Sequence, residues 1–408
     1  MSKISLSRRA VCAAGVSAVA LPAWAEEPLH DTTFVQDFDE LWGTLDAHYC
    51  FFGDKRTDWR RVRDMYRPMA IAVQTNDAFT DVVRRVLTEL YDAHTHLSNP
   101  PDGAQRFPLY DLYAERRGTE IIVAAVKDNS SAADAGVGIG DAVLAIDDVP
   151  IEVAIAQVMP KCLRGPCPDA DAYSINAALA GHTALPRRID VRDAHGQTRA
   201  LDLPLKRSAQ QPDVSARALD GGLGYISIRS FENGETVDAF DTALETLRET
   251  RGLIIDVRNN GGGDTAVARP IMGRFITQTM PYAHMRRRAG RGLSAPWVET
   301  VDPRGPFTYA APVVVLCNHW SGSMAEGFPM GMRDIGRARI VGTRMMGLGA
   351  AVFAINLDRT GIGAQYSGEP VYDTHDAPRW QLRPDVEVAA GDDILAAGVR
   401  ELERLIHA

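Results

Sequence analysis

The C-terminal half of the chain alternates apolar strand patterns with helical patterns, and this alternation restricts the possible fold more than any other feature. Short apolar runs lie at 223–228, 253–257, 313–317 and 338–341, and helical segments lie at 235–250 and 322–335. Strands that are separated by helices pair side by side, mostly in parallel. Residues 207–408 therefore predict a layered α/β domain, interrupted by a polar loop at about 283–306.

Two other units precede this domain. Apolar side chains recur at three- and four-residue steps between positions 34 and 49, which places them on one helix face and predicts a helical N-terminal unit over residues 26–105. Proline and glycine at 100–103 end that pattern. Residues 106–206 contain short β-branched runs with turns and predict a β domain. A length of 408 residues accommodates such a multidomain α/β protein.

The first 25 residues have the form of a signal peptide. Lys3, Arg8 and Arg9 precede a modestly apolar stretch, and Ala23-Trp24-Ala25 fits a small-x-small cleavage site. The segment predicts an exported protein, periplasmic or secreted, by the twin-arginine route or by an ordinary secretory signal. The apolar stretch is too short to span a bilayer and leave a stop-transfer signal, so no stable membrane insertion is expected.

Charge and composition exclude some partners. The formal net charge is −9 at pH 7, which argues against nucleic acid as a partner. No pair of cysteines has the CxxC spacing of a metal site, and neither a metal nor an organic cofactor is expected. Cys162 and Cys167 flank a turn-rich spacer, and they would form a small disulfide in an oxidising compartment or else remain free thiols.

The segment with the clearest chemical potential is the point at which the apolar run 313–317 turns into a helix, at Ser321-Gly322-Ser323-Met324. A helix start offers free backbone N–H groups and the positive end of the helix dipole. If Ser323 attacked a carbonyl carbon, the oxyanion that forms could be held there. Taken alone, the two serines could equally be simple helix caps.

A second loop follows another buried strand, and it contains three consecutive glycines, Gly261 to Gly263, between asparagine and aspartate residues. Consecutive glycines let the backbone approach a ligand closely and point N–H groups toward it. By itself such a loop could also be a tight turn, so its meaning depends on the serine segment.

Residues 130–147 resemble the core of a PDZ domain. The run begins with a short Ser-x-Ala-x-x-Ala-Gly helix pattern, continues through a Gly140-Asp141 turn and ends with a strand at 142–146. The resemblance implies a domain that binds an extended peptide by adding it to a sheet edge, often through the terminal carboxylate of the peptide. The alternative is a β-rich spacer without a ligand.

Together these motifs resemble those of the tail-specific, or C-terminal processing, serine peptidases and their relatives of the tricorn core type. The resemblance covers most of the chain beyond residue 25 and implies a catalytic domain of the crotonase or ClpP type. It implies that Ser323, three residues before the motif residue Glu326, is the nucleophile. It also implies an oxyanion hole formed by the Met324 amide and by Gly261 or Gly262.

The general base separates two branches of that family. Processing peptidases carry a lysine 25 residues after the serine, whereas this chain has Leu348 there, which cannot accept a proton. The tricorn-like branch takes its base from an Asp-x-His-Ser/Thr motif, and His94 matches that histidine. Imidazole can relay the serine proton to the leaving amine. The chain therefore resembles the tricorn-like branch more closely, with His96 and His319 as weaker competitors.

The histidine needs an orienting carboxylate, which in the tricorn-like branch precedes a Pro-Asp pair. That pair is Pro384-Asp385 here, and Glu369 is the nearest preceding glutamate. The sequence therefore predicts an exported serine peptidase that uses Ser323, His94 and Glu369 on a peptide or a protein tail. The alternative is an inactive family member that binds a peptide or a small apolar ligand. A weaker third interpretation is an esterase-like hydrolase.

Overall fold

The computed structural model describes residues 32–206 and 211–408, so the predicted signal peptide lies outside the described residues. The α-helices are α1 (Thr32–His48), α2 (Trp59–Ala72), α3 (Asn76–Thr88), α4 (Ser131–Asp134), α5 (Ile151–Val158), α6 (Pro168–Ala180), α7 (Glu235–Thr246), α8 (Thr265–Met272), α9 (Met324–Asp334) and α10 (Ile394–Ile406). The strands are β1 (His96–Leu97), β2 (Leu112–Arg117), β3 (Glu120–Val126), β4 (Ala142–Ile146), β5 (Val149–Pro150), β6 (Arg187–Arg192), β7 (Thr198–Leu203), β8 (Val214–Leu219), β9 (Leu223–Ile228), β10 (Leu253–Asp256), β11 (Met280–Met285), β12 (Arg288–Ala289), β13 (Gly292–Leu293), β14 (Trp297–Val301), β15 (Val313–Cys317), β16 (Ala338–Gly342), β17 (Ala350–Asn356), β18 (Gly363–Tyr372) and β19 (Val386–Glu387).

The C-terminal domain is built on a six-stranded sheet in the order β19-β16-β15-β10-β9-β8. Its neighbouring strands run parallel from β19 to β9, and β8 adds an antiparallel edge. Every residue of β10 and β15 is buried, as expected for parallel strands covered on both faces. Helices α7, α8 and α9 share the core on one face, and α10 packs on the other. The α/β prediction for this half is confirmed.

The N-terminal helices do not form an independent unit. Helices α1, α2 and α3 enclose a core that also contains Ile355 of β17 and Tyr366 of β18. Strand β1 pairs antiparallel with β18, so that His96 lies opposite Gln365. The helical unit is therefore built onto the C-terminal domain, and the histidine loop between α3 and β1 lies at that junction.

Residues 112–203 form a separate sheet in the order β2-β3-β4-β6-β7, with β5 paired to β4. Strand β4 has the bounds that the sequence predicted, and α4 lies at the predicted short helix. These elements enclose their own apolar core together with α5 and α6. We refer to this part of the chain as the PDZ-like unit, and its edge strand is β2.

Two expectations are corrected. The segment at 283–306 is not a loop, because β11 and β14 pair antiparallel there and join β18 in a second sheet. Exposed and more buried residues do alternate along Trp297–Val301, as in a strand. The arginines and glycines on either side hide this pattern in the sequence. Cys162 and Cys167 are free thiols, and Cys162 is fully buried. Within the described residues, no helix combines the length and apolar character that crossing a membrane requires.

Candidate active site

Ser323 lies on the sharp turn between β15 and α9, directly before the first residue of the helix. Its backbone has φ 52° and ψ −116°, a conformation that residues other than glycine rarely adopt and that costs about 1–3 kcal/mol. The Ser323 hydroxyl makes no capping hydrogen bond to α9, so a simple helix cap does not describe this residue. The Met324 N–H meets no acceptor among the described residues and is therefore available to a ligand at this turn.

The neighbouring Ser321 has a structural role instead. It is fully buried, its hydroxyl donates to the Val257 carbonyl at 2.8 Å, and the same hydroxyl accepts from the Asn318 N–H at 3.0 Å. These bonds tie the end of β15 to the end of β10. The structure thus distinguishes the two serines of the motif, because one is consumed by internal bonds and the other is left free.

The glycine loop packs against the serine turn. The Gly322 N–H donates to the Asn260 carbonyl at 2.9 Å. The buried Asn260 side chain in turn donates to the Ile228 carbonyl at 3.0 Å and accepts from the Gly262 N–H at 2.8 Å. A Cβ on Gly262 would lie 2.7 Å from the Gly322 carbonyl oxygen, whereas one on Gly261 would meet no atom within 4 Å. Of the two glycines predicted for the oxyanion hole, Gly262 is therefore the one that contacts the serine turn. Its N–H already donates to the Asn260 side chain.

His94 lies in a loop that the Asp92 carboxylate holds in shape. Asp92 accepts from the His94 N–H at 3.0 Å and from the Thr95 hydroxyl at 2.9 Å, which is an Asx-type turn. It also accepts from the Ser367 hydroxyl of β18 at 2.7 Å. These bonds give Asp92 and Thr95 a structural role, because they fix the histidine loop to the C-terminal domain.

The His94 ring is buried, and burial lowers its pKa to about 4. The nearby Asp92 charge opposes this shift, and the charges of Arg379 and His96 add to it. The ring is consequently neutral at pH 7, which is the form that accepts a proton. Its Nδ1 has no hydrogen-bond partner among the described residues.

The structure does not bring all the predicted catalytic residues into hydrogen bonds with one another. Within the described residues, no hydrogen bond joins His94 to the Ser323 hydroxyl, although such bonds are often long in unliganded enzymes and tighten with substrate. The Glu369 carboxylate lies 3.6 Å from the Arg287 guanidinium, and burial raises its pKa. Glu369 is not among the charged groups that shift the His94 pKa. Among the described residues, the structure therefore shows no contact between Glu369 and His94.

The competing histidines have other contacts. The His96 ring stacks on Phe107, with 3.9 Å between the ring centroids, and its Nδ1 lies 2.8 Å from the Leu97 carbonyl. The His319 ring stacks on Tyr113 of the PDZ-like unit at 4.4 Å. Burial lowers the pKa of both rings. These packing contacts account for both side chains without a catalytic role.

Two buried charged residues, neither of which had a chemical role in the sequence analysis, lie beside the serine turn. The Glu326 carboxylate, in the first turn of α9, accepts from the Leu348 N–H at 2.9 Å. The Arg379 guanidinium donates to the Leu348 carbonyl at 2.7 Å and to the Ala350 carbonyl at 3.2 Å. A buried carboxyl group and a buried guanidinium thus hold the Leu348 backbone on both sides. Arg379 is far from Leu348 in sequence and lies in no recognisable motif, so only the folded chain shows this contact.

Helix α6 covers the outer edge of β2, the edge strand of this sheet. The Asn176 side chain accepts from the Ala114 N–H at 3.0 Å and donates to the Ala114 carbonyl at 3.1 Å. On the same strand, Arg116 makes two hydrogen bonds to the Asp171 carboxylate, at 2.7 and 2.9 Å. Asn176 therefore occupies the outward-facing backbone groups of Ala114, and the Asp171 pair fixes α6 beside the strand.

A serine on a strained strand-to-helix turn, next to a free amide and a glycine loop, is the arrangement of serine hydrolases. Comparison with known proteins gives the family. Residues 222–388 match "Peptidase family S41", and residues 30–88 match the "Tricorn protease C1 domain". Residues 222–388, which include the serine turn and the glycine loop, are similar to peptidase family S41, and the protein is a hydrolase of the protease class.

Individual relatives are distant. The "C-terminal processing peptidase, chloroplastic" of Tetradesmus obliquus is 25% identical over 90% of this chain and 80% of its own length. The "Tricorn protease homolog 1" of Streptomyces coelicolor is 27% identical over 76% of this chain, which is 28% of that protein. Among solved structures, mature CPAF has a TM-score of 0.63 at 16% identity, covering 92% of this chain and 96% of that one. The photosystem II D1 C-terminal processing protease has a TM-score of 0.59 at 20% identity, covering 91% and 97%. At these identities the structures show the shared fold.

Proposed function

We propose that the protein is an exported serine peptidase that cleaves peptides or protein tails through an acyl-enzyme on Ser323, with His94 as the general base. The observation that carries this proposal is the Ser323 turn, where a strained backbone presents a hydroxyl and the Met324 amide side by side, both without a hydrogen-bond partner in the part of the chain that the structure describes. Strain of this kind is found where function requires it. The names of the relatives, which include C-terminal processing peptidases, support a protein tail as the substrate.

The chemistry follows from these groups. Ser323 Oγ bonds to the scissile carbonyl carbon while its proton passes to the neutral His94 ring, and the Met324 N–H donates to the oxyanion. When the C–N bond breaks, His94 returns the proton to the leaving amine. A water molecule then hydrolyses the ester on Ser323 by the same route in reverse. Glu369 remains the proposed orienting carboxylate, and it would have to leave Arg287 to reach the ring.

Labelling with a fluorophosphonate probe tests this function. We expect the wild type to be labelled, Ser323→Ala to be unlabelled, and His94→Ala to be labelled at least about 100-fold more slowly, the usual contribution of a general base. His96→Gln is the matched control, because it changes the neighbouring histidine. A folded wild type that is never labelled would contradict the proposal.

The second candidate is an inactive family member that binds a peptide or a small apolar ligand. Two observations favour it: Leu348 stands where the Ser–Lys branch has its base, and the His94 Nδ1 has no orienting partner among the described residues. Under this alternative the Ser323→Ala protein would bind peptide as well as the wild type does, and neither would cleave it.

Export is proposed from residues 1–25 alone. Expression of the full chain in a bacterium, followed by mass measurement of the protein in the periplasmic fraction, tests it. A mature form that begins at Glu26 is expected. A full-length protein retained in the cytoplasm would contradict export, and Arg8→Lys together with Arg9→Lys would block it if the twin-arginine route is used.

A further inference from the structure

A cavity of about 330 Å³ lies where the three parts of the chain meet. The helical part, the PDZ-like unit and the C-terminal domain all contribute residues to its walls. Its volume falls at the lower end of the range of about 300–1,000 Å³ that is typical of small-ligand sites. A space of this size suits one large side chain with its adjoining backbone better than a folded partner.

The cavity adjoins both segments that carry the proposed chemistry. Residues 92–93 line it and directly precede His94. Leu348 and Met346 line it from the other side and pack against Gly322, the residue before the nucleophile. A Cβ on Gly322 would lie 3.1 Å from the Leu348 side chain and 2.5 Å from the Met346 sulfur. A substrate residue beside the attacked bond would therefore have this cavity within reach.

The walls of the cavity are rich in aromatic rings. They include Phe51, Tyr91, Tyr113, Tyr173 and Trp380. The Trp380 ring meets Phe51 edge-on, with 4.8 Å between the centroids. Aromatic rings prefer such edge-to-face and offset contacts, and a further ring or branched aliphatic chain gains both apolar burial and this geometry.

The walls of the cavity carry charges of both signs. Two exposed acids, Asp54 and Asp169, and two bases, Lys55 and Arg344, lie on its walls. The Asp92 carboxylate also lines it, but hydrogen bonds to its own loop and to β18 occupy that group. With three acids and two bases on the walls, the net charge is small, and the apolar wall is left to select the ligand.

The path of a peptide leads to the same place. Asn176 already occupies the hydrogen-bonding groups of Ala114 at the β2 edge, which prevents strand addition there. Tyr113 and Ala172 line both the groove between β2 and α6 and the cavity, so the two spaces adjoin. A chain that passes beside the PDZ-like unit toward Ser323 would therefore cross the cavity.

We propose that this cavity is a specificity subsite that receives an aromatic or large aliphatic side chain next to the scissile bond. The inference rests on the proposed peptidase function and adds the class of residue that the enzyme selects. One methylene group more or less in an apolar pocket typically changes the relative rate by about 10- to 200-fold. We therefore expect cleavage beside Phe, Tyr, Trp, Leu or Met to exceed cleavage beside Ala or Asp by at least about 10-fold.

The test uses the exposed residue Ala172, which lines the cavity from α6. A mixture of random-sequence synthetic peptides is digested with the wild type, Ala172→Trp and Ala239→Trp, and mass spectrometry reads the residues on both sides of each cut. Ala239 is an exposed position on α7 that does not line the cavity, so it controls for the new tryptophan. Thermal unfolding of the two variants confirms that both are folded.

The expected result is an apolar preference at one position flanking the cut, lost in Ala172→Trp and kept in Ala239→Trp. Cleavage without that preference, or a preference that Ala172→Trp leaves intact, would overturn the subsite and leave the peptidase function standing. A third result is a wild type that is labelled by fluorophosphonate on Ser323 and yet cuts no peptide. That result would overturn both the peptidase function and the subsite, since the subsite depends on peptide cleavage.

Discussion

The Leu348 N–H donates to the Glu326 carboxylate at 2.9 Å, and this bond ties the position of the family lysine to the helix that begins after Ser323. The Leu348 carbonyl accepts from Arg379 at 2.7 Å. The backbone of Leu348 is thus fixed by a buried carboxyl group and a buried guanidinium, while its side chain is apolar. In this chain the segment is a structural support, which is consistent with a proton acceptor supplied from elsewhere.

The first prediction concerns the pH dependence of stability. Burial raises the pKa of Glu326 to about 7 from its ordinary 4.5. Because the folded pKa is the higher one, the stabilising contribution is present below pH 4.5 and is lost as the pH rises through 7. One pKa unit corresponds to about 1.4 kcal/mol, so the loss approaches about 3 kcal/mol. We expect Glu326→Gln, which does not titrate, to remove this part of the pH dependence.

Chemical denaturation at pH 5 and pH 8 measures the effect as the difference between wild type and variant. Glu403→Gln is a matched control, because Glu403 is an exposed glutamate on α10. The wild type should lose stability relative to Glu326→Gln on going from pH 5 to pH 8. A difference that does not change with pH would show that Glu326 does not titrate as described.

The second prediction concerns the glycine loop. A Cβ on Gly262, which has φ +113°, would meet the Gly322 carbonyl and the Ser323 Cβ at 2.7 Å each. The serine turn would have to shift, and misplacing a reactive group by about 1 Å costs about 100-fold in rate. We expect Gly262→Ala to slow fluorophosphonate labelling at least about 100-fold. Gly261→Ala meets no neighbouring atom and should lose less than about 10-fold. Equal losses in the two variants would contradict this account.

Local sequence patterns predicted the central sheet well. Leu223–Ile228 and Val313–Cys317 form strands with the predicted bounds, because continuous apolar runs that end at polar or turn residues leave little choice of boundary. The second sheet, which contains β1, β18, β11 and β14, was not predicted, because local patterns do not determine its strands. Strand β1 is two residues long and pairs with β18 more than 260 residues away, so its partner supplies most of its stability.

The candidate site shows the same division between local and long-range information. The motif around Ser323 identified the residue, and the structure added the strained backbone and the separate role of Ser321. Arg379 was not identified because its importance comes from burial against Leu348, which no spacing in the sequence encodes. The choice of Glu369 rested on its order before a Pro-Asp pair, and order along the chain does not fix which way a side chain on β18 points.

The third prediction concerns the pH dependence of activity. Burial lowers the pKa of His94 to about 4, and a general base must be neutral to act. The value of kcat/KM should therefore stay constant as the pH falls through 6.5 and decline only as it approaches 4. A pH–rate profile measured between pH 4 and pH 8 tests this, with the fluorophosphonate labelling rate as a second readout. A midpoint near 6.5 would mean that His94 is solvated or is not the base.

Arg379 offers a way to move that profile. Its charge is one of the causes that lower the His94 pKa, and it also holds the Leu348 and Ala350 carbonyls. Arg379→Gln removes the charge, so the acid limb should move to higher pH, whereas Arg379→Lys keeps the charge and should leave the limb in place. Arg60→Gln removes an exposed arginine of α2 that is not among the charges shifting the His94 pKa, and it is the control. An identical shift in the Gln and Lys variants would assign the effect to packing.

The last prediction concerns the edge of the PDZ-like unit. Asn176→Ala leaves the N–H and carbonyl of Ala114 without their partner, which should lower the free energy of unfolding by about 1–3 kcal/mol. The same change frees the edge for an added strand.

In a Ser323→Ala background, fluorescence polarisation with a fluorescein-labelled nonapeptide ending in a free apolar residue should report tighter binding to Asn176→Ala. Asn176→Asp still accepts from the Ala114 N–H but cannot donate to its carbonyl, so it should fall between the two. Equal binding by all three proteins would mean that Asn176 does not close this edge to peptides.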